Sequence, residues 1–198
     1  MEQALPPGGV LWRMLGAWAD LRGSMRAELA RDPSEGRLLF YVMLSGLIWF
    51  FGRYATLVYG PLGPAIPEDL FVGRVGVEFI SAIFFRSLVF YALAALAGAV
   101  ARAAGGSGGW RDSRAALFWA ALVSAPVILA ATMLSLLLTG MPGHAAAVAG
   151  MLGPVAFAWA VAQCFAEAHG FANAWRVLGA VATLAAAIVG AAYMLGNL

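Results

Sequence analysis

Five blocks of about twenty apolar residues constrain this chain more than any other feature: 38–59, 79–101, 115–139, 146–165 and 175–195. A helix rises about 1.5 Å per residue, so each block is long enough to cross a hydrocarbon core of roughly 30 Å. Backbone in contact with lipid must satisfy its hydrogen bonds internally, which leaves helices or a closed barrel. Barrel strands alternate apolar and polar residues, and these blocks do not. The chain is 63% hydrophobic and 11% charged, with mean hydropathy +0.85. Soluble domains hold roughly 45–50% apolar and 25% charged residues, so a water-soluble fold is excluded. The fold class expected is all-α: a polytopic bundle of five membrane helices over residues 38–198, preceded by an N-terminal segment, residues 1–37.

Over residues 10–29 of that segment, Val10, Leu11, Met14, Leu15, Trp18, Leu21, Met25 and Leu29 recur at three- and four-residue steps, with Arg13, Asp20, Arg22, Arg26 and Glu28 largely opposite. The pattern predicts an amphipathic helix in the headgroup plane, anchored by Trp12, Trp18, Arg22 and Arg26. The alternative is a helix packed on the protein's own membrane face. Charges are interspersed throughout residues 1–37, so no cleaved signal peptide is expected.

All twelve basic residues are arginine, and their distribution is lopsided. Arg13, Arg22, Arg26, Arg31 and Arg37 precede the first block, Arg102, Arg111 and Arg114 follow the second, and Arg176 follows the fourth. The intervening connections carry only Arg74, beside Glu68 and Asp69. The positive-inside rule then places the N-terminus in the cytoplasm and the C-terminus in the periplasm of a bacterial inner membrane. A net charge of +2 without a basic stripe speaks against nucleic acid as a partner. Gly105, Gly106, Gly108 and Gly109 read as a flexible connector, because no strand precedes them and no Lys-Ser/Thr pair follows.

Ionisable groups inside a membrane are costly and are candidates for function. Here they are Arg53, Glu78 and Arg86, with Glu167 near an end. The block boundaries place Arg53 and Arg86 at one depth near the outer surface, able to receive an anionic headgroup or carboxylate, or to pair with Glu78 and Glu68. Glu167 and His169 lie two residues apart, off a common helical face, so no metal site is expected and helix-end solvation is. Cys164, the single cysteine, reads as a small buried hydrophobe. No catalytic motif and no cofactor fingerprint appears. Small residues at four-residue steps, Ala182, Ala186 and Gly190 on the last block and Ala94 with Gly98 on the second, predict close helix packing. Pro126 and Pro154 are expected to kink their helices.

The Trp-Ala-Asp-Leu-Arg stretch at 18–22, the run Arg-Asp-Ser-Arg-Ala-Ala-Leu-Phe-Trp at 111–119 leading to Ser124, Ala125 and Pro126, and Ala-Glu-Ala-His-Gly-Phe at 166–171 resemble the bacterial branch of the Yip-one membrane protein family over roughly residues 10–195. The resemblance implies five passes and a cytoplasmic N-terminus. Eukaryotic relatives act in vesicle traffic beside small Rab-type GTPases. The segment before the first block is short beside theirs, so no GTPase-binding role is carried over. The functional expectation is a non-enzymatic accessory, assembly or membrane-organising factor working through lipids and a membrane-protein partner or homo-oligomer. The alternative is a small-solute permease or channel with Arg53 and Arg86 lining an outer vestibule.

Overall fold

In the computed structural model, residues 9–61, 67–180 and 183 are described, and no strand occurs among them. Two short helices, α1 (Val10–Gly16) and α2 (Leu21–Ala30), lead into α3 (Glu35–Tyr59). Then come α4 (Glu68–Ile80), a π-helical turn (Ser81–Phe85), α5 (Arg86–Ala103), α6 (Trp110–Leu137) and α7 (Ala145–Ala168). Four helices are long and apolar enough to cross a membrane: α3, the continuous 35-residue rod Asp69–Ala103, α6 and α7. The fifth block begins as helix at 174–180, and the rest of it, with Ala182, Ala186 and Gly190, lies outside the described residues.

The second spanning helix starts eleven residues earlier than its apolar block. Pro67 fixes the entry in extended conformation, and Glu68, Asp69, Arg74 and Glu78 are accommodated in α4 rather than in a loop. At about 1.5 Å per residue the rod is roughly 52 Å long, well beyond the hydrocarbon thickness. The helix expected over 10–29 is divided by a 3-10 turn at Ala17–Ala19 and by Asp20, whose carboxylate accepts from Gly23 N (2.9 Å) and caps α2.

The core centres on α6, which is buried without interruption from Ala115 to Ala125. Its most extensive neighbour is α7, followed by α3. Approach is close where side chains are small. A Cβ on Gly153 would sit 3.2 Å from Ile128 Cα, and one on Gly98 would strike the Ser113 hydroxyl. Ala94 (0% exposed) and Gly98 therefore form the α5 face that meets α6, as their spacing predicts. Pro126 and Pro154 are accommodated inside unbroken helices.

The apolar side of α1–α2 is spent on the protein itself: Met14, Ala17, Leu21 and Met25 are buried against α3, α6 and α7. The Trp18 indole donates to Val123 O (3.1 Å), and Arg22 donates to Phe171 O and Ala172 O. Arg26 pairs with Glu167 (2.7 Å). Of the anchors expected at the headgroups, Trp18, Arg22 and Arg26 are thus engaged by the fold, because the apolar face of α2 finds a better-matched surface on α6 and α7. Trp12 remains 75% exposed, beside exposed Leu11 and Leu15.

Candidate functional site

At the end of the bundle that carries α1 and α2, arginines and carboxylates neutralise one another. Glu28, 2% exposed, accepts from Arg13, from Arg31 (3.0 Å) and from the Tyr41 hydroxyl (2.9 Å). Arg13 lies over the Trp119 ring at 5.5 Å, and the Trp119 indole donates to Ser24 (3.1 Å). Burial works against the Arg13 charge, but its bonds to Tyr41 and Glu28 outweigh this and raise its pKa. Arg111 reaches Asp32 and Pro33 O, and Arg114 pairs with Glu35.

Beside this cluster the glycine-rich connector is a fitted strap, not a loose linker. Gly105 (φ 88°) ends α5 in the left-handed region, Ser107 N donates to His169 O (3.0 Å), and a Cβ on Gly108 would strike Ala168 O. His169, expected in solvent, is 1% exposed and stacked between Phe165 and Phe171. The Ser113 hydroxyl sits 3.0 Å from both Gly109 O and His169 Nε2, while the buried Nδ1 of the ring has no hydrogen-bond partner among the described residues. Burial lowers the His169 pKa, Arg102 lowers it further, and Asp112 opposes them weakly. Among the described residues no group of three potential metal ligands gathers.

The two intramembrane arginines expected at one depth are separated. Arg53 meets Glu78 through two bonds (2.8 and 3.3 Å), and it lines a cleft of about 130 Å³ with Trp49, Gly52, Thr56, Leu129 and Thr132. Arg86 instead donates to the Ser45 hydroxyl (2.8 Å), eight residues from Arg53 along α3. That spacing is about 12 Å. The early start of α4 explains the shift: it brings Glu78 to the level of Arg53 and carries Arg86 two turns deeper. Ser45 is the eleventh residue of the 25-residue α3, so Arg86 sits near the middle of the span.

The π-helical turn sets the aim of Arg86. Its backbone N–H bonds back to Ser81 O, and the extra residue pushes Ala82 O against α3, where a Cβ on Gly46 would overlap it. Such turns arise where one residue more than an α-turn is held in the ladder, and they concentrate at functional sites. The guanidinium has Phe90 4.2 Å from it and uses one of its five N–H donors on Ser45. No carboxylate pairs with it among the described residues. Sequence reasoning missed the turn; its only trace is the small pair Ser45-Gly46 in the middle of an otherwise bulky helix.

No protein-family model, curated protein or solved structure matches this chain.

Proposed function

We propose that the protein is a non-enzymatic integral membrane protein that acts as an accessory or assembly factor, using Arg86 as half of an ion pair completed by a carboxylate on a partner's membrane helix. The observation that carries this is the charge inventory. Of ten acidic residues, Glu28, Asp32, Glu35, Glu78 and Glu167 pair with other arginines, and Asp20 and Asp112 cap helices. Asp69 is seventeen residues from Arg86 along the rod, about 25 Å. Glu68 adjoins Asp69 in sequence, and Glu2 lies outside the described residues. Leaving a guanidinium at mid-membrane depth without an anion is costly, and a partner carboxylate in that low dielectric relieves the cost. Among the described residues a second copy of this chain offers no uncommitted carboxylate at that level, which favours a different protein as the partner.

The bacterial Yip-one assignment belongs to the same proposal. The three stretches that carry it, 18–22, 111–119 and 166–171, meet at one end of the bundle, where Arg22 reaches Phe171 O and Ser113 lies 3.0 Å from His169 Nε2. With that end in the cytoplasm, Leu11, Trp12 and Leu15 dip into the inner leaflet. The permease reading finds less support, because Glu78 neutralises Arg53 and Arg86 lies at another level.

A photo-crosslinking residue at Val89, 37% exposed and three positions from Arg86 on the same helical face, tests the proposal in native membranes. A discrete heterologous adduct is expected, retained in Arg86→Lys and lost in Arg86→Leu. Adducts with lipid alone, or a protein adduct indifferent to Arg86→Leu, overturn it.

A further inference from the structure

A second surface, on another side of α3, is grooved and apolar. Between α3 and the α4–π segment runs an apolar groove of about 480 Å³, walled by Leu39, Phe40, Met43 and Leu47 on one side and Phe79 and Ile83 on the other. It opens at Gly36, at the first turn of α3, and its α3 wall ends at Leu47. Eleven residues at about 1.5 Å give a length of roughly 16 Å, half the hydrocarbon thickness. The groove is as deep as one leaflet.

Charge at its mouth is specific. Arg37 precedes Phe40 by three residues and Leu44, another lining residue, by seven, so it stands on the groove's flank. Helical side chains lean toward the N-terminus, which carries its guanidinium above the opening. At this end of the bundle Arg13 and Arg31 are held by Glu28, Arg22 and Arg26 by Glu167, Arg111 by Asp32 and Arg114 by Glu35. Arg102 lies over the Trp110 ring. The Arg37 guanidinium is exposed and has no side-chain partner among the described residues, and the nearest carboxylate in sequence, Glu35, is taken by Arg114. Gly36 keeps the entrance clear: a Cβ there meets nothing nearer than the Ser34 hydroxyl at 4.0 Å, so tight packing is not what the glycine serves.

We infer that this groove binds one acyl chain of an anionic glycerophospholipid, with Arg37 holding the headgroup phosphate at its mouth. The site is independent of Arg86 and of the partner proposed for it.

The test is native mass spectrometry of the full chain released from mixed vesicles in which phosphatidylglycerol is a minor component in phosphatidylcholine. The wild type is expected to retain one lipid, with phosphatidylglycerol enriched about fivefold over the bulk ratio, the attraction of one arginine for an anionic surface. Arg37→Gln should return the bound ratio to bulk, and Arg37→Lys should preserve the enrichment. Gly36→Leu, whose Cβ has open space and whose side chain adds bulk at the mouth, should lower retention of both lipids at an unchanged thermal midpoint. A wild-type ratio equal to bulk means annular lipid only and overturns the inference. So does enrichment that survives Arg37→Gln, or retention indifferent to Gly36→Leu.

Discussion

Truncating Glu28 to alanine should loosen the N-terminal clasp without unfolding the bundle. The side chain is 2% exposed and accepts from two guanidiniums and the Tyr41 hydroxyl, so removing it strands two positive charges and a phenol in a water-poor site. Breaking a buried ion pair from one side costs about 3–5 kcal/mol. The apolar part of the clasp is Met14, Leu21 and Met25, each worth about 1.5–3 kcal/mol when fully buried, beside the bonds of Trp18, Arg22 and Arg26. The loss is therefore comparable to most of the apolar attachment, before the entropy of ordering two short helices is subtracted. Arg31, 15% exposed, can swing to solvent and recover part of the cost, which sets the lower end, about 3 kcal/mol, or two decades in the opening constant. Hydrogen–deuterium exchange of the α2 amides in detergent or nanodiscs reads this directly. Protection of residues 21–30 should fall about a hundredfold while that of α6 holds. Arg13→Met combined with Glu28→Leu, which replaces the pair by apolar volume, should restore most of it. If the alanine variant exchanges within threefold of wild type, the carboxylate is not the fastener.

His169 makes the strap pH-sensitive. Its folded pKa is below the ordinary 6.5, so above that value neither closed nor open state gains a proton; below it the open state binds one that the closed state refuses, and closure weakens as pH falls. The opening constant at Ser107 N should rise by up to about tenfold per pH unit below 6.5, after correction for intrinsic exchange, and His169→Phe should flatten the dependence. Charge reversal separates pairing from charge at the other ion pair: Glu78→Arg alone should lower the thermal midpoint in detergent, and Arg53→Glu with Glu78→Arg should recover it. Gly98→Ala should cost about 1–3 kcal/mol by overpacking against Ser113, and adding Ser113→Ala should recover only part of it, because the Ser113 Cβ itself would lie 2.9 Å away and the hydroxyl's contact with His169 is lost.

Apolar length was legible in the sequence because lipid imposes one rule on every backbone that crosses it. Four of the five blocks coincide with helices long enough to span, and the fifth lies mostly outside the described residues. The Ala94–Gly98 face was legible for a similar reason: spacing alone places small residues on one side. Three features were not. The start of α4 was hidden because Glu68, Asp69, Arg74 and Glu78 interrupt the hydropathy without interrupting the helix, and depth assignments for Arg86 inherited the error. The split of the N-terminal helix depends on the Asp20 cap, and its docking depends on complementarity to α6 and α7, which periodicity cannot distinguish from affinity for a membrane surface. The glycine strap was misread because glycine serves flexible linkers and close backbone contact alike; only the neighbour, here Ala168 and His169, decides which.

The distribution of charge ties these elements together. Near the α1–α2 end, Glu28, Asp32, Glu35 and Glu167 each draw an arginine from a different element, so the ion pairs join α1 to α2, α2 to α7, and the α2–α3 corner to α6. Within the span, Glu78 does the same for α3 and α4. Arg53 and Arg86 are both inside the span, and only Arg53 has a carboxylate; Arg86 is bonded to a hydroxyl and faced by Phe90. Stability alone does not favour that arrangement. Leucine at position 86 would relieve the burial of an unmatched charge, so Arg86→Leu should raise the thermal midpoint of the isolated protein in detergent even as it abolishes the heterologous contact. A lowered midpoint would mean that Arg86 is structural, and the partner would have to be sought on another face.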